Sequence, residues 1–279
     1  YIASLITRLQ HEVGSNFRFS VRMVGDNTQE RWKNDFYSPL FERKTVLQST
    51  QPGEVDARVK APLIFRLTLG NHHSGFKAAK ALNISFFDTA GEDMNSLDRL
   101  SVQARYICHA DGIIFLLDPL QIPSVRQQLP WVNIPEADPR ASPDYIVGRL
   151  RDLFERQFNL PPTRKIKLPI AFTLSKADTL LSIVEPGSAL QRPSEHFGEL
   201  DVADVQSVST EIANYLSTWI NPNFCNIIDD NFACYSYFAI SSLGEQPVND
   251  RLTTVNPLRV EDPFLWILYQ LGLIKKKKD

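Results

Sequence analysis

The chain has 279 residues and a formal net charge of −2 at pH 7, with 30 Lys and Arg against 32 Asp and Glu. This balance excludes the strong positive field of many nucleic-acid-binding proteins, and 43% apolar residues indicate an ordinary globular core. Cys108, Cys225 and Cys234 are scattered, which indicates reduced thiols rather than a disulfide framework or a zinc site. No apolar run approaches the roughly 20 residues that span a bilayer, and no signal peptide opens the sequence, so we predict a cytoplasmic protein without a membrane span.

The first third of the chain predicts helices around three strands. Apolar residues at positions 2, 5, 6 and 9 have helical spacing, and no N-cap residue precedes them, so we expect that a segment upstream of Tyr1 has been removed. Residues 17–23 alternate in polarity like a half-buried strand, and residues 27–30 have the spacing of a capping box before a helix. The stretch 41–61 lacks periodicity and predicts a loop. Two further runs, 62–69 and 81–87, flank the turn-forming residues 70–75 and predict an antiparallel hairpin.

Beyond residue 88 the pattern is typical of a parallel sheet covered by helices. Nearly continuous apolar runs at 112–118, 168–174 and 234–240 predict strands that are buried on both faces. Helical periodicity is found at 145–158, 204–219 and 262–274. The sequence therefore predicts an α/β layered fold. Since no repeat or low-complexity linker interrupts residues 1–279, we predict a single domain with two inserts, near 119–143 and 183–200.

Polar residues follow each predicted buried strand at its carboxyl end, where parallel sheets bind their ligands. The hairpin strand ends in Asp88-Thr-Ala-Gly91, and the next strand ends in Asp118. The last two strands end in Ser175-Lys-Ala-Asp178 and in Ser241-Ser-Leu-Gly244. Each motif is weak alone, because a strand end followed by a turn explains the first and an ordinary helix N-cap explains the third. Their combination favours a nucleotide-binding fold.

This order of motifs resembles that of the Ras-like, TRAFAC-type P-loop GTPases, and residues 88–93 with 115–123 are similar to the bacterial double-GTPase family of GTPase-associated or conflict systems. The resemblance implies a three-layer, P-loop NTPase-like fold with a mostly parallel sheet and one antiparallel hairpin strand. It implies that Asp88 holds Mg²⁺ and that the Gly91 N–H meets the γ-phosphate. It also implies that one set of residues binds the guanine base: Ser175, Lys176, Asp178, Ser241, Ser242 and Leu243.

Three departures from that family's pattern limit the resemblance. No G-x-x-x-x-G-K-[ST] loop occurs in the 279 residues, and we expect that loop upstream of Tyr1. Ser175 replaces the usual Asn or Thr, which predicts that guanine is preferred less strongly over other bases. Glu92 replaces a water-orienting glutamine, which predicts slow or partner-dependent hydrolysis. We choose Thr50, shortly before Pro52, as the second protein ligand of Mg²⁺.

The resemblance implies a guanine-nucleotide switch that binds GTP or GDP with Mg²⁺ and hydrolyses GTP, with Gly91 and Glu92 at the reacting phosphate. Two alternatives remain open: a pseudo-GTPase that serves as a protein-interaction module, and an ATPase of related fold. Besides the nucleotide, the expected partners are proteins of a multi-component system, and no nucleic acid is expected.

Two further polar clusters have simple explanations. His72 and His73 suggest metal ligands, but a polar hairpin tip explains them better. The lysines at 275–278 suggest contact with anionic lipid or nucleic acid. A run of four lysines is more often a solvated tail, and we expect that here.

Overall fold

The computed structural model of the chain describes residues 1–47, 62–70, 80–86, 107, 109–129, 134, 136–138 and 142–278. The strands in this part are β1 Phe19–Met23, β2 Leu63–Leu69, β3 Lys80–Phe86, β4 Ile113–Leu117, β5 Ile170–Leu174 and β6 Tyr235–Ala239. The α-helices are α1 Ile2–Gln10, α2 Glu12–Phe17, α3 Asp26–Arg31, α4 Pro123–Gln128, α5 Pro143–Phe158, α6 Ala177–Leu180, α7 Val202–Trp219, α8 Asn223–Asn231 and α9 Asp262–Gln270. A π-helix, Trp32–Glu42, continues α3, and short 3-10 helices lie at Pro119–Gln121 and Ala189–Gln191.

Strands β1, β2 and β3 form an antiparallel sheet in that order. Phe65 of β2 lies opposite Ile84 of β3, which confirms the predicted hairpin. On the other edge of β2, Leu67 lies opposite Val21 of β1. Among the described residues, these strands therefore form a three-stranded sheet separate from the parallel one, whereas the sequence predicted one antiparallel hairpin strand added to a parallel sheet. Every second side chain of β2, from Leu63 onward, is buried, and this one-sided burial suits a sheet that packs a single face on the core.

Strands β4, β5 and β6 form a parallel sheet with β5 in the centre. Phe172 of β5 lies between Phe115 of β4 and Tyr237 of β6. All five residues of β5 are buried, as the continuous apolar run predicts. The α/β class and this parallel sheet are thus confirmed. The three-layer arrangement of a P-loop NTPase is not confirmed, and the single-domain boundary stays a prediction.

The two faces of β5 contribute to different hydrophobic cores. Phe172 packs in the first core with side chains of helices α4, α5, α7 and α8. Ala171, its neighbour on the opposite face, packs in the second core with α1, α9 and the buried face of β2. The alternation of side chains along a strand is the cause. The second core places the antiparallel sheet and the parallel sheet around shared apolar side chains.

The predicted inserts contain regular structure that the sequence patterns did not reveal. Helix α4 lies in the first insert and the 3-10 helix Ala189–Gln191 in the second. The predicted capping box is wrong, because Gly25 is the N-cap of α3 and no side chain caps it. Thr28 instead accepts a hydrogen bond from the backbone N–H of Ile64, which ties α3 to β2. Within the described ranges, no helix combines the length and the apolar character that crossing a bilayer requires.

Candidate functional site

The carboxyl ends of β4, β5 and β6 lie side by side, because Leu117, Leu174 and Ala239 are in register across the parallel sheet. The loops that follow these strands begin at Asp118, Ser175 and Ile240. We call seven residues of these three loops the strand-end cluster: Asp118, Ser175, Lys176, Asp178, Ser241, Ser242 and Leu243. The structure therefore brings together six of the predicted site residues and adds Asp118, whose partner the sequence did not indicate.

Lys176 and Asp118 form an ion pair in this cluster. The Nζ of Lys176 lies 2.8 Å from the Oδ2 of Asp118, and the two side chains are 49% and 29% exposed. The backbone of Lys176 is left-handed, with φ 53°, and this residue is the N-cap of α6. The Asp118 Oδ1 also accepts a hydrogen bond from the Leu120 N–H, so the carboxylate fixes its own loop. Ser175 donates its Oγ–H to the carbonyl of Leu117 and extends the pairing between the two strands.

Asp178 and Ser241 form the second pair of the cluster. Ser241, which is buried, donates its hydroxyl to the Asp178 Oδ1 at 2.5 Å and accepts the Gly244 N–H at 2.8 Å. Gly244 has φ +83°, and a Cβ there would stand 2.0 Å from the Asn256 carbonyl oxygen, so this turn requires glycine. The strand end of β6 is thereby held in one conformation.

The remaining two residues of the last loop contact the protein through their carbonyl groups. The Ser242 carbonyl accepts a hydrogen bond from the Ser4 Oγ of α1 at 2.6 Å. The Leu243 carbonyl accepts one from the Asn256 N–H at 2.9 Å, and the Leu243 side chain packs against the second core. These contacts join the loop after β6 to the first helix.

The other predicted site residues are Thr50, Asp88, Gly91 and Glu92, and they lie outside the described residues. The predicted Mg²⁺ ligands and the predicted γ-phosphate contact therefore have no structural account. The assignment of Mg²⁺ and of GTP or GDP as ligands stays a prediction. In the described part of the site, each of the two side chains with the clearest predicted role, Lys176 and Asp178, already has a partner within the chain.

The two pairs of the cluster differ in burial, and they are expected to differ in their effect on stability. We predict that Ser241→Ala lowers the free energy of unfolding by about 2 kcal/mol, because it removes a hydrogen bond to a carboxylate and leaves the Gly244 N–H without its acceptor. Lys176→Ala breaks a partly exposed ion pair and is expected to change the free energy of unfolding by less than about 1 kcal/mol. Urea unfolding of both variants measures the difference. If both variants changed the free energy of unfolding equally, burial would not explain the stability of the Asp178–Ser241 pair relative to the Lys176–Asp118 pair.

A second polar cluster, which the sequence did not indicate, joins three distant segments of the chain. We call it the Arg259 network: His196, Asp204, Arg259 and Asp262. The Arg259 Nη1 lies 2.8 Å from the Asp204 Oδ2 and 2.6 Å from the Asp262 Oδ2. Burial alone would lower the pKa of Arg259, but the hydrogen bond with Asp204 and the charges of Asp262 and Asp204 raise it. Burial raises the pKa of Asp262, although the charges of His196 and Arg259 act in the opposite direction.

The ligand atoms of His196, Asp204 and Asp262 lie within 4.8 Å of one another, a separation that invites comparison with a metal site. Two observations disfavour a cation. Arg259 already forms an ion pair with each of the two carboxylates, and the His196 Nδ1 accepts the Asp201 N–H at 3.2 Å. Because Nδ1 is an acceptor, neutral His196 carries its proton on Nε2, whereas a metal-bound histidine donates through its other nitrogen. The Nε2–H therefore faces the Asp262 Oδ1, 3.6 Å away, as a long donor–acceptor contact.

Comparison with known proteins gives one informative likeness. No family model matches the chain, and no solved structure matches it. The chain is 24% identical over 297 residues to a Mycolicibacterium smegmatis protein described as a putative ESX-1 scaffolding and assembly protein, SaeC. The match covers 98% of this chain and 72% of that protein.

These comparisons correct the family and the function inferred from the motifs. The prediction of a Ras-like GTPase of the double-GTPase family is wrong, because the relative is described as a scaffolding and assembly protein and no GTPase family model matches. The predicted guanine-nucleotide switch that hydrolyses GTP is wrong for the same reason. The physical reason lies in the motifs, since Lys176 and Asp178 have structural partners within the chain that account for their positions.

Proposed function

We propose that this protein is a scaffolding and assembly module that holds protein partners of a multi-component system together. The observation that carries the proposal is the likeness to the putative ESX-1 scaffolding and assembly protein across 98% of the chain. A match of that extent includes both sheets and both cores. It therefore favours a role of the whole fold over a role of one short motif.

The strand-end cluster supports a structural role for this edge of the sheet. Lys176 is paired with Asp118, and Asp178 is paired with Ser241, so the charged side chains of the cluster bind one another. Such pairs fix the loops after β4, β5 and β6 relative to each other. A rigid set of loops loses little conformational entropy when a partner docks on it.

Helices α5 and α8 carry apolar side chains that are suited to partner contact. Phe158 at the end of α5 is 46% exposed, and Ile227 of α8 is 37% exposed. The Phe158 ring stacks on the Phe154 ring with centroids 5.6 Å apart, and this contact restricts the position of Phe158. Aromatic side chains held in this way are common anchors of protein–protein interfaces. We propose that these two exposed side chains, Phe158 and Ile227, contribute to partner binding, and we call them the α5–α8 face.

The experiment is affinity purification of the tagged chain, after mild crosslinking, from the organism that encodes it. We expect a reproducible set of partner proteins at fixed stoichiometry. The double variant Phe158→Ala with Ile227→Ala tests the α5–α8 face, and Val248→Ala is the matched control, since Val248 is 70% exposed on a turn elsewhere. Partners are expected to be lost from the double variant and retained by the control.

A parallel assay on the same preparation measures GTP turnover with Mg²⁺. The proposal expects no turnover above that of a buffer blank, with or without the partners. Recovery of the chain alone, together with steady GTP turnover, would overturn the scaffolding role. Partners that bind the double variant and the control equally would keep the role but exclude the α5–α8 face.

A further inference from the structure

We propose that this protein has a surface that binds an anionic lipid bilayer, formed by Phe197 and the lysines at 275–278. We call it the aromatic–basic patch. It lies away from the α5–α8 face in sequence and does not rest on the scaffolding role, since bilayer binding can be measured without any protein partner. The sequence alone favoured a solvated lysine tail, and the structure changes that interpretation in two ways.

The first change is that an exposed aromatic side chain is held beside the tail. Phe197 is 77% exposed, the largest exposed fraction among the large hydrophobic side chains of the described residues. Its neighbour His196 is buried and accepts the Asp201 N–H at 3.2 Å. On the other side, Gly198 has φ +70°, and a Cβ there would lie 3.2 Å from the Asn16 carbonyl oxygen. The exposure of Phe197 therefore comes from backbone that is anchored on both sides.

The second change is that the lysine segment is fixed to the same part of the fold. The Leu200 N–H donates to the Lys275 carbonyl, and the Lys277 N–H donates to the Leu200 carbonyl, both at 2.8 Å. The Lys277 Nζ also lies 2.8 Å from the Asp201 Oδ2. Leu200 follows Phe197 by three residues, so their Cα atoms are at most about 11 Å apart. Phe197 and the lysine segment thus lie in the same part of the fold.

This region carries charges of both signs. All four lysines are exposed, and Lys276 and Lys278 make no ion pair within the described part of the chain. The carboxylates in the same region are Glu195, Glu199, Asp201 and Asp204. Asp201 is already bonded to Lys277, and Asp204 to Arg259. The hydrogen bonds from Lys277 and from the Asp204 N–H lower the pKa of Asp201. This carboxylate therefore stays ionised and bonded to Lys277. The positive charges available to an anionic partner are therefore those of Lys276 and Lys278.

A lipid bilayer fits this combination better than the alternative, a nucleic acid. At a membrane interface, an aromatic side chain enters the boundary between headgroups and acyl chains while lysines remain among the phosphates. Each lysine near an anionic membrane strengthens binding by about fivefold, so the charge and the ring together give measurable binding where neither suffices alone. Single-stranded nucleic acid is usually bound by several stacking aromatics along a basic groove, whereas this patch presents one ring.

The test is cosedimentation of the full chain with vesicles of phosphatidylcholine alone or of phosphatidylcholine and phosphatidylglycerol in equal amounts. We expect binding to the anionic vesicles only, and weaker binding as salt is raised. Phe197→Ala is expected to weaken binding by about tenfold, as loss of one buried aromatic side chain predicts. Lys276→Ala with Lys278→Ala is expected to weaken it by about 25-fold. Val248→Ala serves as the exposed apolar control and is expected to bind like the native chain.

Circular dichroism of each variant confirms that the fold is retained, which separates loss of the patch from loss of the protein. Equal binding to neutral and anionic vesicles, or equal binding by all variants, would overturn the proposal. A single-stranded oligonucleotide is added as a competitor. If the chain binds the oligonucleotide and no vesicle, the patch is a nucleic-acid surface and the lipid proposal is wrong.

Discussion

Arg259→Ala is expected to lower the free energy of unfolding by about 3–5 kcal/mol, the range for breaking a buried ion pair from one side. The Arg259 side chain is 1% exposed and bonds Asp204, Asp262 and the Arg192 carbonyl. Its removal leaves two carboxylates without their cation, and the Asp262 side chain is only 3% exposed. The network joins the segment before α7 to the start of α9, so its loss loosens two elements at once.

Urea unfolding measures this effect, and Arg251→Ala is the matched control, because Arg251 is exposed on a turn. The control is expected to stay within about 0.5 kcal/mol of the native chain. The pH dependence has a defined sign. Without Arg259 the folded-state pKa of Asp262 rises further above its unfolded value, so the destabilisation is largest at neutral pH and shrinks as the carboxyl becomes protonated in acid. A destabilisation that is unchanged from neutral to acid pH would contradict the assignment of Asp262 as the unpaired charge.

Phe172→Ala is expected to lower the free energy of unfolding by about 3–5 kcal/mol, because it opens a cavity at the centre of the first core. Phe172 is 1% exposed on the central strand β5. Its ring lies 5.3 Å from that of Phe232 and 5.9 Å from that of Phe115, both in edge-on contacts. The ring of Tyr237 is 6.1 Å away. The Phe172 ring therefore has an aromatic neighbour on each of the two adjacent strands, β4 and β6.

Phe158→Ala is the control for this substitution, since it removes the same ring from a site that is 46% exposed. We expect the free energy of unfolding to change by less than about 1 kcal/mol, because nearly half of the Phe158 surface is in contact with water in the folded chain. Thermal unfolding and urea unfolding of both variants give the comparison. A comparable decrease in the free energy of unfolding for the two variants would show that Phe158 lies in a core and not on the proposed α5–α8 face.

The strands were predictable where local pattern alone determines burial. The apolar run at 168–174 contains β5, and the alternation at 17–23 contains β1, as observed. Pairing was harder to predict, because Phe19 of β1 meets Leu69 of β2 across fifty residues of chain. The separate antiparallel sheet is a product of such long-range contacts. Helix α8 was missed because its sequence, NFCNIIDDN, buries only Phe224 and Ile228 and has weak helix formers between them.

The strand-end cluster was only half predictable. Parallel strands bring their carboxyl ends to one edge, so the meeting of Ser175, Lys176 and Asp178 with Ser241 follows from strand order. The partners within the cluster do not follow, because Asp118 and Lys176 are 58 residues apart and Asp178 and Ser241 are 63 apart. The same residue types serve as nucleotide ligands in one protein and as internal pairs in another. Motif order was therefore insufficient to assign the function.

The most direct test of the scaffolding role is deletion of the gene in the organism that encodes it, followed by native gel electrophoresis of the assembly that the tagged chain purifies with. We expect the partner proteins to be present in normal amounts but to migrate as separate components. Re-expression of the native chain is expected to restore the assembly, while the Phe158→Ala with Ile227→Ala variant is not. An assembly of normal size and amount in the deletion strain would contradict the scaffolding role.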